Sequence, residues 1–213
     1  MSSIAGDVSS PLLKASDFDF ELPQELIAQH PAPHRSDSRL MVFNRQDKSV
    51  DHRVFSDLPE LLREGDLLIL NDTQVIPARL FAQRDNGKKF EILLLEMLTP
   101  FSWKVMIRSG KEAARGGPLT LLENAAHERS DITATVVDKE LQSGNYHVLF
   151  EWAGRPYDIR DRLAELGAVP LPPYIEREPR NEDIERYQTV FARNSGSVAA
   201  PTAGLHFTLE LLN

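Results

Sequence analysis

A chain of 213 residues, 41 % hydrophobic and 26 % charged, can bury a sizeable core as one large domain or two small ones. It has no cysteine, which excludes disulfides, thiolate metal ligands and thiol nucleophiles and fits a cytoplasmic protein. Its net charge of −8 argues at first against a nucleic-acid partner, and its longest apolar stretches, such as Leu67 to Leu70 and Ile92 to Leu95, are strand-sized, so no membrane span is expected.

Met1 to Ser10 is small and polar, without the basic start and apolar centre of a secretory signal, and a flexible tail is expected over 1–16. Leu22 to Ala28 predicts a short helix with Pro23 in its first turn. Arg39 to Asn44 and Ser49 to Phe55 predict paired strands around Arg45-Gln46-Asp47-Lys48. Ser56 can cap a short helix through Leu62 that Gly65 closes. Asp66 to Leu70 reads as a continuous apolar strand, buried on both faces.

From Ala78 the pattern changes. Ala78 to Arg84 and Lys89 to Met97 flank Asn86-Gly87, a strong short hairpin signal. Phe101 to Arg108, Leu119 to Leu122, Asp131 to Asp138 and Tyr146 to Trp152 follow as strands with no helical pattern among them. Six antiparallel strands at this spacing predict a small barrel or sandwich, and the barrel is preferred because closure removes exposed edges. The expected organisation is a mixed α/β domain from 17–77 and 153–213, with the six-stranded antiparallel β-barrel inserted as 78–152.

Helical periodicity returns at Tyr157 to Leu166, where Ile159, Leu163 and Leu166 share a face and Gly167 ends the run. The prolines of Leu171-Pro172-Pro173-Tyr174 predict an extended segment. Thr208 is a fitting N-cap for a helix that stops at Asn213. A helix shorter than roughly 12 residues is marginal on its own, so the expectation is either a chain cut within an element or a short terminal helix docked on the core.

Four constellations could carry chemistry. Arg35 and Arg39, on and just after the proline-stiffened Pro31-Ala32-Pro33-His34 loop, could clamp a carboxylate or phosphate, or pair with Asp37 and its neighbours at the surface. Asn71-Asp72-Thr73 follows the Asp66–Leu70 run, where ligand-handling residues sit in parallel and mixed sheets; an Asx turn is the plainer reading. Tyr174, on its Pro-Pro segment and followed by Arg177 and then Arg186-Tyr187-Gln188-Thr189, could stack a base or pack between domains. Ser197 to Phe207 is rich in small residues, with Gly204 permitting unusual backbone. Thr202 and His206 carry its reactive protons, and a histidine is a natural acid or base at neutral pH, although a lone histidine is often structural. The six histidines (His30, His34, His52, His127, His147, His206) show no metal-ligand spacing, and Gly116-Gly117 stands alone without a phosphate loop.

Charge is unevenly distributed. Between Arg79 and Gly117 eight basic residues face four acidic ones, an excess of +4 that leaves −12 elsewhere on a chain of −8. Lys88, Lys89, Lys104, Arg108, Lys111 and Arg115 could hold a folded RNA, or simply solvate a strand face.

Phe18-Asp19-Phe20-Glu21-Leu22-Pro23, the Arg35 and Arg39-Leu40 loop, Gly65-Asp66-Leu67-Leu68 into Asn71-Asp72-Thr73, Val75-Ile76-Pro77-Ala78-Arg79-Leu80, Leu171-Pro172-Pro173-Tyr174-Ile175, Tyr187-Gln188-Thr189-Val190 and Ala199 to Phe207 occur in this order. In that order they resemble the motifs of the S-adenosylmethionine:tRNA ribosyltransferase-isomerases of queuosine biosynthesis, from about Asp17 to the last residue. The later motifs of that family, of the form His-Val-Gly-x-Gly-Thr-Phe and Asn-Phe-His-Leu-Pro, are missing. That departure implies that part of the family's site is absent and that this chain alone is inactive.

The resemblance implies an α/β domain with an inserted antiparallel barrel and a site near their junction. The implied reaction moves the ribosyl unit of S-adenosylmethionine, a co-substrate and not a tightly bound cofactor, onto 7-aminomethyl-7-deazaguanine at the wobble position of tRNA. Adenine and methionine leave and epoxyqueuosine forms. A base must take the proton next to the sulfonium and an acid must protonate departing adenine. On this reading His206 transfers protons and Thr202 orients the sugar. Asp72, Asn71 and Thr73 hold ribose or amine, and Arg35 or Arg79 holds the methionine carboxylate or a tRNA phosphate. Tyr174 stacks a base, and Gln188 and Gly204 complete the substrate contacts. A cytoplasmic monomer without metal or membrane is expected. The alternative is a non-catalytic tRNA-binding barrel module; a methyltransferase is disfavoured because no glycine-rich loop follows a first strand.

Overall fold

The structure, a computed structural model, describes residues 13–123 and 127–213; most of the tail expected over 1–16 lies outside them. Ala15–Phe18 forms a 3₁₀ turn, and the helix expected over Leu22 to Ala28 is reduced to one 3₁₀ turn at Gln24–Leu26. Leu22 and Leu26 stay exposed and only Ile27 is partly buried, so this stretch gains little apolar burial to offset the cost of starting a helix. The expected hairpin forms, with β1 (Arg39–Phe43) antiparallel to β2 (Val50–Val54). A 3₁₀ turn at Phe55–Asp57 leads into α1 (Leu58–Leu61). Its start is held by the Asp57 carboxylate, which accepts from the Val54 N–H at 3.1 Å, and not by Ser56. Asp66 to Leu70 is a correction. No strand lies beside it among the described residues, and Leu67 and Ile69 are 84 % and 83 % exposed, because an apolar run is buried only where a neighbour covers it. β3 (Thr73–Val75) follows.

Period-two alternation then builds a closed barrel. Its strands are β4 (Arg79–Gln83), β5 (Lys89–Thr99), β6 (Ser102–Ile107), β7 (Leu119–Leu122), β8 (Arg129–Lys139) and β9 (Tyr146–Trp152), and β10 (Arg155–Pro156) extends its edge at β9. The order around the ring is β9-β6-β5-β4-β7-β8 and back to β9, all antiparallel. Leu80, Ile92, Leu94, Val105, Leu119, Ile132, Val148 and Phe150 fill the interior with at most 1 % exposure, each burial contributing about 1.5–3 kcal/mol. Gly87, at φ +84, makes the Asn-Gly turn between β4 and β5. One helix was not legible among these strands: α2 (Gly110–Arg115) follows β6, with Gly110 under the Tyr146 ring.

The helical face predicted by Ile159, Leu163 and Leu166 is buried against the barrel core. Only its second half is α-helix: a 3₁₀ turn at Ile159–Arg162, capped by Asp158, runs into α3 (Leu163–Leu166). Gly167 does end it, and β11 (Gly167–Ala168) pairs at once with β4. A Cβ on Gly167 would stand 1.9 Å from the Pro77 carbonyl oxygen, so this glycine permits close approach. The Pro-Pro segment turns instead of extending: the Ile175 N–H donates to the Pro172 carbonyl at 3.0 Å, with Pro173 at a position suited to its fixed φ. α4 (Asn181–Arg186) and β12 (Asn194–Ser197) were also not foreseen; β12 runs parallel to β3. A 3₁₀ turn at Thr202–His206 precedes α5 (Leu209–Leu212), whose Leu211 N–H bonds to Thr208 as expected of an N-cap. Among the described residues no helix is long and apolar enough to cross a membrane.

Candidate functional site

Four segments distant in sequence meet around a cavity of about 320 Å³: the proline-stiffened stretch 28–38, the turn at 171–175, the end of α4, and the Thr202–His206 turn. Small-ligand sites fall at about 300–1,000 Å³. His206, Thr202 and Tyr174 line it together. The His206 ring leans on Phe55 at 5.2 Å, and Phe207 meets Phe55 edge-on at 5.0 Å, so the imidazole stands on an aromatic base. Tyr174 is 50 % exposed at the rim, able to meet a planar ligand. Tyr187 forms another part of the wall; burial pushes its phenol up from the ordinary value, against the effect of the Ala200 backbone N–H.

Polar side chains bonded to backbone hold these walls in place. Arg35 also lines the cavity, yet its guanidinium donates to the carbonyls of Leu205 (2.9 Å), Glu185 (2.9 Å) and Arg186 (3.5 Å). Burial and the neighbouring Arg186 lower its pKa. Arg186 reciprocates, donating to Pro33 and Ala32 at 2.9 and 2.7 Å. Arg35 therefore secures the turn that carries His206, with its fork already engaged. Gln29 grips the Tyr174 segment as a strand would, donating to the Tyr174 carbonyl at 3.0 Å and accepting from the Glu176 N–H at 2.7 Å. Behind it, Arg177 and Asp183 form a bidentate pair with both contacts at 2.7 Å, and Arg177 also donates to the Gln29 carbonyl at 2.8 Å. Asp183 is only 3 % exposed. The Arg177 fork, aided by the Arg180 N–H, holds its carboxyl below the usual range against the opposing effect of burial.

The Asn71-Asp72-Thr73 cluster lines neither this cavity nor the wider cleft described next. Asn71 accepts from the Thr73 N–H at 3.0 Å, an Asx turn, and Thr73 reaches the Asn194 carbonyl at 3.5 Å. Both Asp72 carboxylate oxygens accept from the Asn194 amide at 3.0 Å, which ties the chain before β3 to β12. Gln188 exchanges two bonds with the backbone of Val75, at 2.9 and 2.6 Å. Arg79 lies 3.1 Å from Glu91 and donates to Leu171 at 3.0 Å, bracing the barrel against the turn. Gly204 has no left-handed backbone; a Cβ there would stand 2.9 Å from the Thr189 methyl, so the small residue serves packing.

A second cleft, about 920 Å³, runs between the outer face of β4 and the start of α4, with Tyr187 shared between it and the first cavity. Lys89 opens onto it. Among the other basic candidates, Lys88 pairs with Glu112, and Lys104 pairs with Glu140 at 3.0 Å, which raises the Lys104 pKa. Arg108, Lys111 and Arg115 are exposed and form no ion pair among the described residues. Gln29 and Asp183, the partner of Arg177, were missed from sequence. Nothing in their spacing distinguishes them, whereas Tyr187 stood beside Gln188 in a motif already singled out. Among the described residues no group of three or more histidines and carboxylates could hold a metal.

The model of a family described as queuosine biosynthesis protein matches residues 15–213. The chain is 45 % identical over 201 residues to the S-adenosylmethionine:tRNA ribosyltransferase-isomerase of Thermosipho africanus, covering 94 % of this chain and 55 % of that protein. The Thermotoga maritima protein of the same name is 46 % identical over 201 residues with the same coverage. A crystal structure of S-adenosylmethionine tRNA ribosyltransferase from Thermotoga maritima shares 33 % identity over 92 % of this chain and 52 % of its own, with a TM-score of 0.36. The chain thus spans about 55 % of the length of these curated relatives.

Proposed function

Because the chain belongs to the queuosine biosynthesis protein family, we propose that it serves the reaction for which its relatives are named, ribosyl transfer and isomerisation from S-adenosylmethionine onto tRNA. In this reading the acceptor is the exocyclic amine of 7-aminomethyl-7-deazaguanine at the wobble position, and adenine and methionine leave as epoxyqueuosine forms. The observation that carries it is the meeting of Tyr174, Thr202 and His206 around one small cavity. His206 moves a proton, either from the carbon beside the sulfonium or to departing adenine; both positions need an acid or base that works near neutral pH. Thr202 hydrogen-bonds the sugar, and Tyr174 stacks a purine. Asp72 acts at one remove: through Asn194 it fixes β12, which leads directly into the Ala199–Phe207 segment. Arg35, Gln188 and Gly204 likewise position the walls and do not touch substrate.

The test is tRNA-dependent release of adenine from S-adenosylmethionine by the protein expressed from its complete reading frame. His206→Ala should lower turnover roughly 100-fold or more while S-adenosylmethionine still binds. Near-normal turnover in that variant would remove His206 from the chemistry.

A further inference from the structure

The wider cleft has no part in the reaction as set out above, yet its walls carry the groups that grip a single nucleic-acid strand. Along β4, Leu80 and Ala82 are buried in the barrel, so Phe81 faces outward into the cleft, partly buried, with the His127 ring edge-on at 6.0 Å. On the adjoining strand Lys89 pairs with Gln83 and Glu91 pairs with Phe81, which sets Lys89 diagonally beside Phe81 on the same outer face. Arg180 lies in the same lining; its pairing with Glu182, at 3.6 Å between exposed side chains, leaves it available. The amides of Gln74 and Asn181 offer donors and acceptors, and Glu178 is the one carboxylate of the lining. The volume of about 920 Å³ is nearly three times that of the His206 cavity, and Tyr187 belongs to both.

We propose that this cleft seats the RNA strand flanking the modified nucleotide, with Phe81 as the stacking platform for one base and Lys89 and Arg180 on its phosphates. The proposal rests on tRNA being the partner, as read above, and adds where and by which residues it is held. An aromatic face stacks any base, and cations beside it track the backbone, so binding here is tolerant of sequence and sensitive to salt. The shared Tyr187 wall places a nucleotide in the cleft next to the cavity where the sugar donor would react.

The measurement is fluorescence anisotropy with a fluorescein-labelled anticodon stem-loop RNA over a salt series. Phe81→Ala should weaken binding roughly 5- to 100-fold without changing the salt dependence, and Phe81→Trp should restore it, which separates stacking from a folding defect. Lys89→Gln should make the slope of log affinity against log salt shallower by about 0.7, one single-strand phosphate contact. Phe101→Ala, an exposed aromatic at the β5–β6 turn, should leave binding unchanged. Parent-like binding by both Phe81→Ala and Lys89→Gln, failure of Phe81→Trp to restore it, or no RNA binding at all overturns the proposal. Adenine release by the complete protein reports separately on the catalytic reading. Loss of that activity with cleft binding intact would sink the reaction and spare the cleft; the reverse result would spare the reaction.

Discussion

Replacing Asp183 by Asn removes the charge from the most deeply buried ion pair among the described residues while keeping an acceptor for the Arg180 N–H. Arg177, with its side chain 15 % exposed, is then left without its carboxylate partner. Breaking a buried pair from one side costs about 3–5 kcal/mol. At roughly 2–4 °C per kcal/mol for a chain of this size, the midpoint should fall by roughly 6–20 °C. The pair also carries a pH signature. The folded Asp183 carboxyl titrates below its unfolded value of about 3.9, so its stabilisation is complete above that value and is lost as pH falls through the folded one. Thermal unfolding by circular dichroism should therefore show a wide, constant gap between parent and Asp183→Asn from about pH 5 to 8, narrowing below about pH 4 as the parent carboxyl protonates. A gap under about 2 °C near neutral pH, far less than a broken buried pair implies, or one as wide in acid as at neutrality, would refute the reasoning.

Two other substitutions probe the frame. Gly167→Ala puts a Cβ 1.9 Å from the Pro77 carbonyl and 2.8 Å from that of Leu163, both backbone atoms that cannot step aside; urea unfolding should show a loss of at least about 1–3 kcal/mol. Gln188→Ala strips the Val75 N–H and carbonyl of their side-chain partner. It should cost about 1–3 kcal/mol, with faster hydrogen exchange at Val75 than in the parent.

The barrel was legible because its signal is short-range and repeated. Inward Leu80, Ala82, Phe90, Ile92 and Leu94 alternate with outward residues, and Asn86-Gly87 fixes the first turn. The short helices were not. Gly110–Arg115 and Asn181–Arg186 have six residues each, too few to show a period, and the single buried side chain of α4 is the charged Asp183. Asp66 to Leu70 misled for a different reason. Four consecutive apolar residues state that a segment is fit for burial, but burial is a property of two surfaces, and the described residues supply only one. His206, Thr202 and Tyr174 stand out in the sequence because histidine, threonine and tyrosine carry protons or rings, and the structure sets all three around one cavity. Asp72 is expected beside them from its place after the Asp66–Leu70 run and from the family resemblance, and the structure gives its carboxylate to Asn194.

That division has a physical cause. The segments around the His206 cavity are turns and single helical turns, too short to be held by their own backbone hydrogen bonds. Side chains therefore take over the work of a sheet ladder. Gln29 pairs with the backbone at Tyr174 and Glu176, Gln188 with Val75, and Arg35 and Arg186 bridge between the 32–35 loop and the segments at 185–186 and 205. Such a residue looks in sequence like a ligand for substrate, since a polar side chain beside a small-residue segment is what a binding site requires. Coordinates tell the two apart by whether the donors are already engaged. By that criterion Arg35 and Gln188 are engaged with backbone, whereas the side chains of His206, Thr202 and Tyr174 make no hydrogen bond among the described residues.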